Sequence, residues 1–186
     1  MAQFQRFTPV DAAAHERQIV AATAALHAAQ SSGDPVALLE AAGMLGALLT
    51  GARREAEANA LLSPHVRLAR DHPQSEPAGW LLLALATNDQ YLGQHEGANA
   101  VFDEALQLAR ANGWDTLQHF ILHHWGRSWV EQGDRARARD CFTAALALRE
   151  RLAAPRFVDS TRRALAAIDA MDAMDAAADT TRPSGP

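Results

Sequence analysis

Histidines at the spacing of metal ligands are the first residues in this sequence that could do chemistry. His119 and His123 stand four positions apart in the stretch HFILHHW. On a helix this spacing places both rings on one face, which is the arrangement of a two-histidine zinc pair. A catalytic zinc ion needs three protein ligands and an open position, but neither a third ligand nor a glutamate base beside His119 is evident. We therefore expect surface or interface histidines, and a metal-binding site is the alternative.

The lone cysteine and the acidic residues also fall short of a catalytic site. Cys141 is the one cysteine in the sequence, and its apolar neighbours on the predicted inner face of a helix favour a buried, inert thiol. The row Asp169, Asp172 and Asp175 is expected on a terminal helix, where it suits a capping or docking face. The sequence contains neither a glycine-rich phosphate loop nor a G-x-S-x-G elbow. We expect no catalytic residue, no cofactor and a protein that is not an enzyme.

Composition and charge limit the classes of partner. The chain has 186 residues, 48% hydrophobic and 21% charged, which is ordinary for one globular domain. All 17 basic residues are arginines and the net charge is −5, which argues against nucleic-acid partners because those need a basic stripe. The local row Arg135, Arg137 and Arg139 is expected to be a solvated helix face. The start of the chain lacks a signal pattern, and the longest apolar run, WLLLALA, is too short to cross a bilayer. We expect a cytoplasmic protein with no membrane partner.

The elements that must position these residues are helices. Apolar residues recur at steps of three and four, and period-two alternation is not convincing in any segment, so we predict no sheet. Gly113 and Gly133 are expected just past helix ends, with positive φ. The residues expected to cap the next helix are Asp34, Ser75, Asp115 and Asp134. The predicted helices cover residues 9–30, 36–51, 53–70, 77–91, 95–111, 116–131, 135–152 and 156–173.

Pro64 conflicts with the helix predicted for residues 53–70. Proline lacks the N–H that a helix interior needs, and its ring crowds the preceding turn. We expect a kink at this position or a break into two shorter helices.

One pattern recurs at intervals of forty residues. The stretch GANAVFDEALQLAR, residues 97–110, has counterparts forty residues earlier and forty residues later. The positions in register include Ala58, Ala98 and Ala138; Leu62, Phe102 and Phe142; and the small residues Gly46, Ala86 and Gly126 upstream. A helical hairpin cannot bury its apolar face alone, so repeated hairpins stack and share a core. We predict that each small residue lets the second helix approach closely, and that the Phe102 and Phe142 positions fill the space between hairpins.

This pattern resembles the tetratricopeptide repeat family. The best match, in residues 119–152, comprises Leu122, Trp125, Gly126, Trp129, Gly133, Ala138, Phe142, Ala145 and Leu146. The period of forty exceeds the family's usual length of about 34, so the resemblance is to a long-period bacterial variant. It implies an all-α fold, a right-handed solenoid of stacked antiparallel hairpins with repeats at 36–72, 76–112 and 115–152. Residues 1–35 would form an N-terminal helix packing on the solenoid, residues 153–175 a C-terminal capping helix, and residues 176–186 a disordered tail.

The resemblance also implies a binding site. Proteins of this family hold a peptide or protein segment on a concave face that is lined by the first helix of each hairpin. Carried over to this chain, that face presents Trp80, Leu83, Thr87, Tyr91, Phe120, His123, Arg127 and Val130. The family's clamp for two carboxylates is missing, and the remaining aromatic and aliphatic surface suits an amphipathic helix or an extended segment. The alternative is that Trp80, Phe120 and Tyr91 only pack between neighbouring hairpins or against the N-terminal helix.

Three functions are consistent with these features. The first is a non-enzymatic, regulatory interaction scaffold that binds a protein or peptide partner in the concave groove. The second is a homo-oligomerising module, because the small apolar residues of IVAATAALHAA, residues 19–29, could pair with a second copy and form a homodimer. The third is a metal-binding protein built on the histidine cluster.

Overall fold

The chain folds entirely into helices. The computed structural model describes residues 4–180, and the side chains of residues 4–178. Within this range there are nine α-helices and no strand, which confirms the all-α prediction. The helices are α1 (Ala12–Ser32), α2 (Pro35–Gly51), α3 (Glu55–Leu62), α4 (Val66–Asp71), α5 (Glu76–Tyr91), α6 (His95–Ala111), α7 (Asp115–Glu131), α8 (Arg135–Arg151) and α9 (Pro155–Thr180). None of the helices in the described part of the chain is both long and apolar enough to cross a bilayer.

Pro64 divides the third predicted helix, as its chemistry requires. Helix α3 ends at Leu62, a single 3-10 turn covers Ser63–His65, and α4 begins at Val66. The tighter 3-10 turn accommodates a residue that has no N–H and whose ring crowds the preceding turn. The predicted break into two shorter helices is confirmed.

The ends of the helices agree with the sequence prediction at some positions and differ at others. Gly113 and Gly133 have φ values of 70° and 82° just past α6 and α7, as predicted. The Asp34 carboxylate accepts hydrogen bonds from the first N–H groups of α2. Two predicted caps are wrong. Among the described residues the Ser75 side chain makes no capping bond, and Asp115 is the first residue of α7 rather than its cap.

Helix α9 is longer than the sequence predicts. It continues to Thr180, so residues 176–180 are helical where a disordered tail was expected, and residues 181–186 lie outside the described part. Its acidic residues are paired with α8: Asp172 forms ion pairs with Arg135 and Arg139, at 3.0 and 2.9 Å, and Asp175 forms one with Arg135. The row that was expected to be a docking face therefore docks α9 on α8. The arginine row is not simply a solvated face, because two of its members make these pairs.

Neighbouring helices pack in the order of the chain. Helix α1 contacts α2, α5 contacts α6, α7 contacts α8, and α8 contacts α9. In addition, α2 lies against α5, and α5 contacts α7. These three helices are the first helices of the three predicted repeats, and their shared surface is called the first-helix face below.

The repeated residues form the core. Ala98, Phe102, Ala138 and Phe142 are all fully buried, and burying a phenylalanine ring stabilises the fold by roughly 1.5–3 kcal/mol. A Cβ atom placed on Gly126 would lie only 2.9 Å from the Phe142 ring. The small residue in the first helix therefore does allow the close approach of the second helix that the sequence predicted.

Candidate functional site

A pair of side chains joins the last residue of α5 to α7 on the predicted binding face. The Arg127 guanidinium donates a hydrogen bond of 2.6 Å from Nη2 to the Tyr91 hydroxyl. Arg127 is buried, and its guanidinium carbon lies 5.7 Å from the Tyr91 ring centroid. Burial raises the pKa of Tyr91, although the nearby charges of Arg127 and Arg6 oppose the shift. The phenol is therefore protonated at neutral pH.

The chain's own residues 4–7 lie on this face. The Phe4 N–H donates to Glu131 Oε1 at 2.9 Å, and the Phe4 carbonyl accepts a hydrogen bond from Arg127 Nε at 3.0 Å. Gln90 holds the other carboxylate oxygen of Glu131 with a 2.9 Å hydrogen bond from Nε2. Two side chains one turn apart on α7 thus grip the main chain of a single residue.

The Phe4 side chain packs into an apolar cluster formed by α7, α8 and α9. Its ring centroid lies 6.3 Å from that of Phe142. The other members of the cluster are Trp129, Val130, Ala138, Ala164, Leu165 and Ile168. Val130, one of the predicted site residues, packs against the same cluster as Phe4.

Arg6 occupies a second position on the same face. Its Nη2 donates to the Thr50 carbonyl in the last turn of α2, at 2.8 Å, and forms an ion pair with the Glu55 carboxylate. Its guanidinium carbon lies 4.1 Å from the Tyr91 ring centroid, and only 7% of the side chain is exposed. The negative end of the α2 dipole, a carboxylate and an aromatic face all favour a cation here.

The residues next to Phe4 and Arg6 point to solvent. Gln5 is exposed and has a φ of 45°, a left-handed conformation that L-residues seldom adopt. The Phe7 side chain is 59% exposed. The segment is therefore held by two alternate side chains and one main-chain clamp. Gln5 is exposed, and Phe7 lies beside the His15 ring, with centroids 6.4 Å apart.

The aromatic residues nearer the start of α5 and α7, which are half-buried, pack against each other. The Trp80 and Phe120 ring centroids lie 5.3 Å apart, and Phe120 lies 5.0 Å from Phe157 of α9. Leu83 and Thr87 are both buried, and the Thr87 hydroxyl donates to the Leu83 carbonyl. This is the packing arrangement that the sequence left open as the alternative to a ligand groove.

The histidine cluster surrounds a buried arginine. Arg149, only 1% exposed, donates from Nε to His119 Nδ1 at 3.2 Å and from Nη1 to His123 Nδ1 at 3.1 Å. It also donates to the Phe157 carbonyl at 2.9 Å and to the Thr161 hydroxyl, both in α9. His119 is buried and His123 half-buried, so of the two placements expected, surface or interface, the structure shows an interface between helices. Within the part of the chain that the structure describes, no three His, Cys, Asp or Glu residues are grouped to hold a metal ion.

Burial keeps these histidines neutral. It lowers the pKa of His119 to about 4, of His123 to about 2 and of His124 to about 3, and the Arg149 charge acts in the same direction on each. A neutral imidazole can accept a hydrogen bond at Nδ1 from the guanidinium. Burial also lowers the pKa of Arg149, to about 10. The cluster is thus a structural network, held together in its deprotonated form.

Cys141 is also unsuited to chemistry. The residue is half-buried, and burial raises the pKa of its thiol to about 12. The thiolate is the nucleophilic form of cysteine, so this thiol is inert at neutral pH.

Several residues of the site were not predicted from the sequence. They are Phe4, Arg6, Glu55, Gln90, Glu131 and Arg149. A local signal existed for the first two, since the stretch FQRF places an aromatic residue and an arginine ahead of the first helix. That signal does not show where in the fold the stretch would lie.

The fold has a counterpart among solved structures. No family model matches the chain, and the comparison with curated proteins gives no match. The chain is similar to the structure described as BtubC (BKLC) from P. vanneervenii, with a TM-score of 0.65 and 17% sequence identity. The likeness covers 93% of this chain and 95% of that chain. At this identity it shows a shared helical fold across almost the whole length of both proteins.

Proposed function

We propose that this protein is a non-enzymatic scaffold of the tetratricopeptide-repeat type, a right-handed solenoid of stacked hairpins that binds an extended segment of a partner protein on the first-helix face. The observation that carries the proposal is the grip of Arg127 and Glu131 on the main chain of Phe4. This grip supports the proposal, because the same side chains could hold the main chain of a partner segment. Hydrogen bonds to main chain are a general means of binding extended segments.

The core supports the architectural part of the proposal. The positions that recur every forty residues are the buried ones, and Gly46 and Gly126 both face the side chain that occupies the phenylalanine position of the same repeat. A Cβ on Gly46 would lie 2.5 Å from Leu62, much as one on Gly126 would meet Phe142. The same packing rule thus applies in the first and third predicted repeats.

The titratable groups support the non-enzymatic part. Catalytic acids and bases need pKa values near the working pH, whereas His119, with a pKa of about 4, is neutral and engaged by Arg149. Cys141 is protonated, and its pKa is raised by burial. Neither residue is in a state suited to proton transfer or nucleophilic attack.

Self-association is a second candidate, favoured by exposed apolar side chains on α1 and α2. Val20 is 64% exposed and Met44 is 59% exposed. A homodimer through this surface would bury both side chains. Light scattering over a range of concentrations tests this candidate. We expect a dimer mass in the wild type and a monomer mass in Val20→Glu. A wild-type mass that stays at one chain at every concentration refutes the dimer.

A matched pair of substitutions tests the scaffold proposal. Because residues 4–7 already lie on the face, the protein used is the full chain carrying Phe4→Ala and Arg6→Ala. Glu131→Gln is added to it, and the control is Glu150→Gln, an exposed glutamate of α8 that pairs with Arg162. We expect Glu131→Gln to reduce the recovery of a partner from an extract of the native host, and the control to leave it unchanged. Equal recovery of every captured protein by the two variants would refute binding at this face.

A further inference from the structure

We infer that residues 4–7 are a built-in ligand of the first-helix face, and that the partner segment which replaces them carries an aromatic residue and an arginine separated by one residue. This inference rests on the proposed function and deepens it, since it names the chemistry of the partner. It follows from the two side chains that point inward, Phe4 and Arg6, and from what surrounds each.

The first anchor site selects an aromatic ring. The Phe4 ring lies 6.3 Å from the Phe142 ring, and Phe4 packs against the same buried cluster as Trp129 and Val130. Trp129 is itself held in place by two neighbours. Trp125 stacks on it with centroids 6.0 Å apart, and the Arg137 guanidinium lies 4.7 Å from its ring. Removal of Phe4 would leave this apolar surface in contact with water, so an occupant is favoured. A flat aromatic side chain fills the site with few rotatable bonds to immobilise.

The second anchor site selects arginine over lysine. The Thr50 carbonyl and the Glu55 carboxylate accept hydrogen bonds from one edge of the Arg6 guanidinium, while the Tyr91 ring lies against its face. A planar guanidinium can satisfy both directions at once, whereas a lysine ammonium is a compact point charge without a flat face. The site is largely closed, so its ion pair is less screened by solvent than an exposed one.

The residues that hold the main chain, Arg127 and Glu131, and the residue between the two anchors, Gln5, set the spacing of the motif. Arg127 and Glu131 bond the main chain of the residue that carries the aromatic ring. The spacer, occupied here by Gln5, faces solvent with a φ of 45°. Glycine adopts this conformation without strain, and asparagine does so more readily than most residues. The partner motif is thus aromatic–spacer–arginine, with glycine or asparagine favoured as the spacer.

The position of the segment in the chain makes it a competitor. Only residues 8–11 separate it from α1, and a short tether gives an attached ligand a high effective concentration. A partner binds only the fraction of molecules in which the face is open, and its apparent affinity falls by that fraction. The protein on its own therefore holds its binding face closed.

Fluorescence anisotropy with a labelled peptide tests the inference. The peptide is AQFQRFT, residues 2–8 of the chain, titrated with the full-length wild type and with full-length Phe4→Ala/Arg6→Ala. We expect the double variant to bind at least about tenfold more tightly, since its face is open in most molecules. Peptides that carry Phe4→Ala or Arg6→Ala should lose this binding, and a peptide with Phe7→Ala should keep it.

Each result either supports or overturns the inference. Equal affinities of the wild type and the double variant overturn it, as does binding that is indifferent to the arginine of the peptide. Light scattering that shows the wild type as a dimer, which becomes a monomer in the double variant, would assign the segment to the face of a second copy and also overturn it. If the double variant loses its helical circular dichroism, hydrogen exchange of the wild-type protein tests the inference instead. The Phe4 amide must then be protected from hydrogen exchange and must lose protection when millimolar peptide is added.

The failure of the inference and the failure of the proposed function can be told apart. If the double variant captures a partner in a Glu131-dependent way but does not bind the AQFQRFT peptide, the scaffold function is supported and the role of residues 4–7 as a ligand is refuted. A double variant that binds the peptide through Glu131 but captures nothing retains the ligand chemistry and refutes the partner in that host. Failure in both assays removes both proposals.

Discussion

Two buried arginines of this protein are covered by opposite ends of the described chain, and the two covers differ. Arg127 donates to the Phe4 carbonyl, and Arg149 donates to the Phe157 carbonyl. Each arginine also binds a neighbouring side chain of the first-helix face, Tyr91 in one case and His119 in the other. The same hydrogen-bonding device therefore occurs twice, once beneath a short segment and once beneath a helix.

What distinguishes the two regions is how much of each cover is buried. Helix α9 contributes Val158, Thr161, Ala164 and Ile168 to the interior, all of them below a tenth exposed, and it is tied to α8 by ion pairs. Residues 4–7 contribute only two inward side chains and form no helix. The comparison teaches that the two buried arginines differ less in their own hydrogen bonds than in how deeply the segment above each one is buried.

The largest effect on the free energy of unfolding is expected at Arg149, which lies beneath α9. Arg149→Ala removes a buried side chain that joins α7 to α9. It leaves His119 Nδ1 without its donor and removes one hydrogen bond each from the Phe157 carbonyl and the Thr161 hydroxyl. We expect the free energy of unfolding to fall by about 3–5 kcal/mol, measured by urea denaturation. The control is Arg151→Ala, an exposed residue paired with Asp115, with an expected loss below about 1 kcal/mol. Equal losses would show that the Arg149 network does not hold α9.

Acid should weaken the same region. The unfolded chain binds a proton at His119 with a pKa near 6.5, while the folded chain does so only at about 4. Below pH 6.5 the unfolded chain therefore binds more protons at this residue, and His119 alone lowers the free energy of unfolding by up to about 1.4 kcal/mol per pH unit until about pH 4. His123 and His124, whose pKa values are also lowered, add to this slope in the same direction. Urea denaturation from pH 7 to 4.5 measures this slope, and His119→Asn should reduce it. An unchanged slope in that variant contradicts the buried, neutral state of His119.

The smallest change in stability is expected in residues 4–7, the segment that lies over Arg127. Phe4→Ala removes a half-buried ring from the edge of the fold, so we expect a loss of about 1–2 kcal/mol with the helical content unchanged. Phe7→Ala, at a residue 59% exposed, is the control and should change stability by less than about 0.5 kcal/mol. Thermal unfolding followed by circular dichroism measures both. A loss at Phe4 as large as that at Arg149 would remove the distinction between the two covers.

The sequence predicts the core of this protein better than its first-helix face, for a physical reason. The burial of Ala98 and Phe102 follows from a helical period and from a repeat interval, both of which are local patterns. Gln5 and its neighbours reach the face only through contacts between residues far apart in the chain, such as Phe4 with Glu131, and no periodicity encodes such a contact. The same reason explains why His123 was placed on an open groove: the cover supplied by α9 was not visible in the spacing of residues.

Amide hydrogen exchange of the wild-type protein compares the two covers most directly. Exchange through local opening reports a free energy below that of global unfolding, whereas a segment that opens only when the whole protein unfolds reports the global value. We predict that the Phe4 amide exchanges through local opening, and that the amide of Thr161 in α9 exchanges only with global unfolding. Exchange of both amides at the global free energy would contradict the account, because residues 4–7 would then be as permanent a part of the fold as α9.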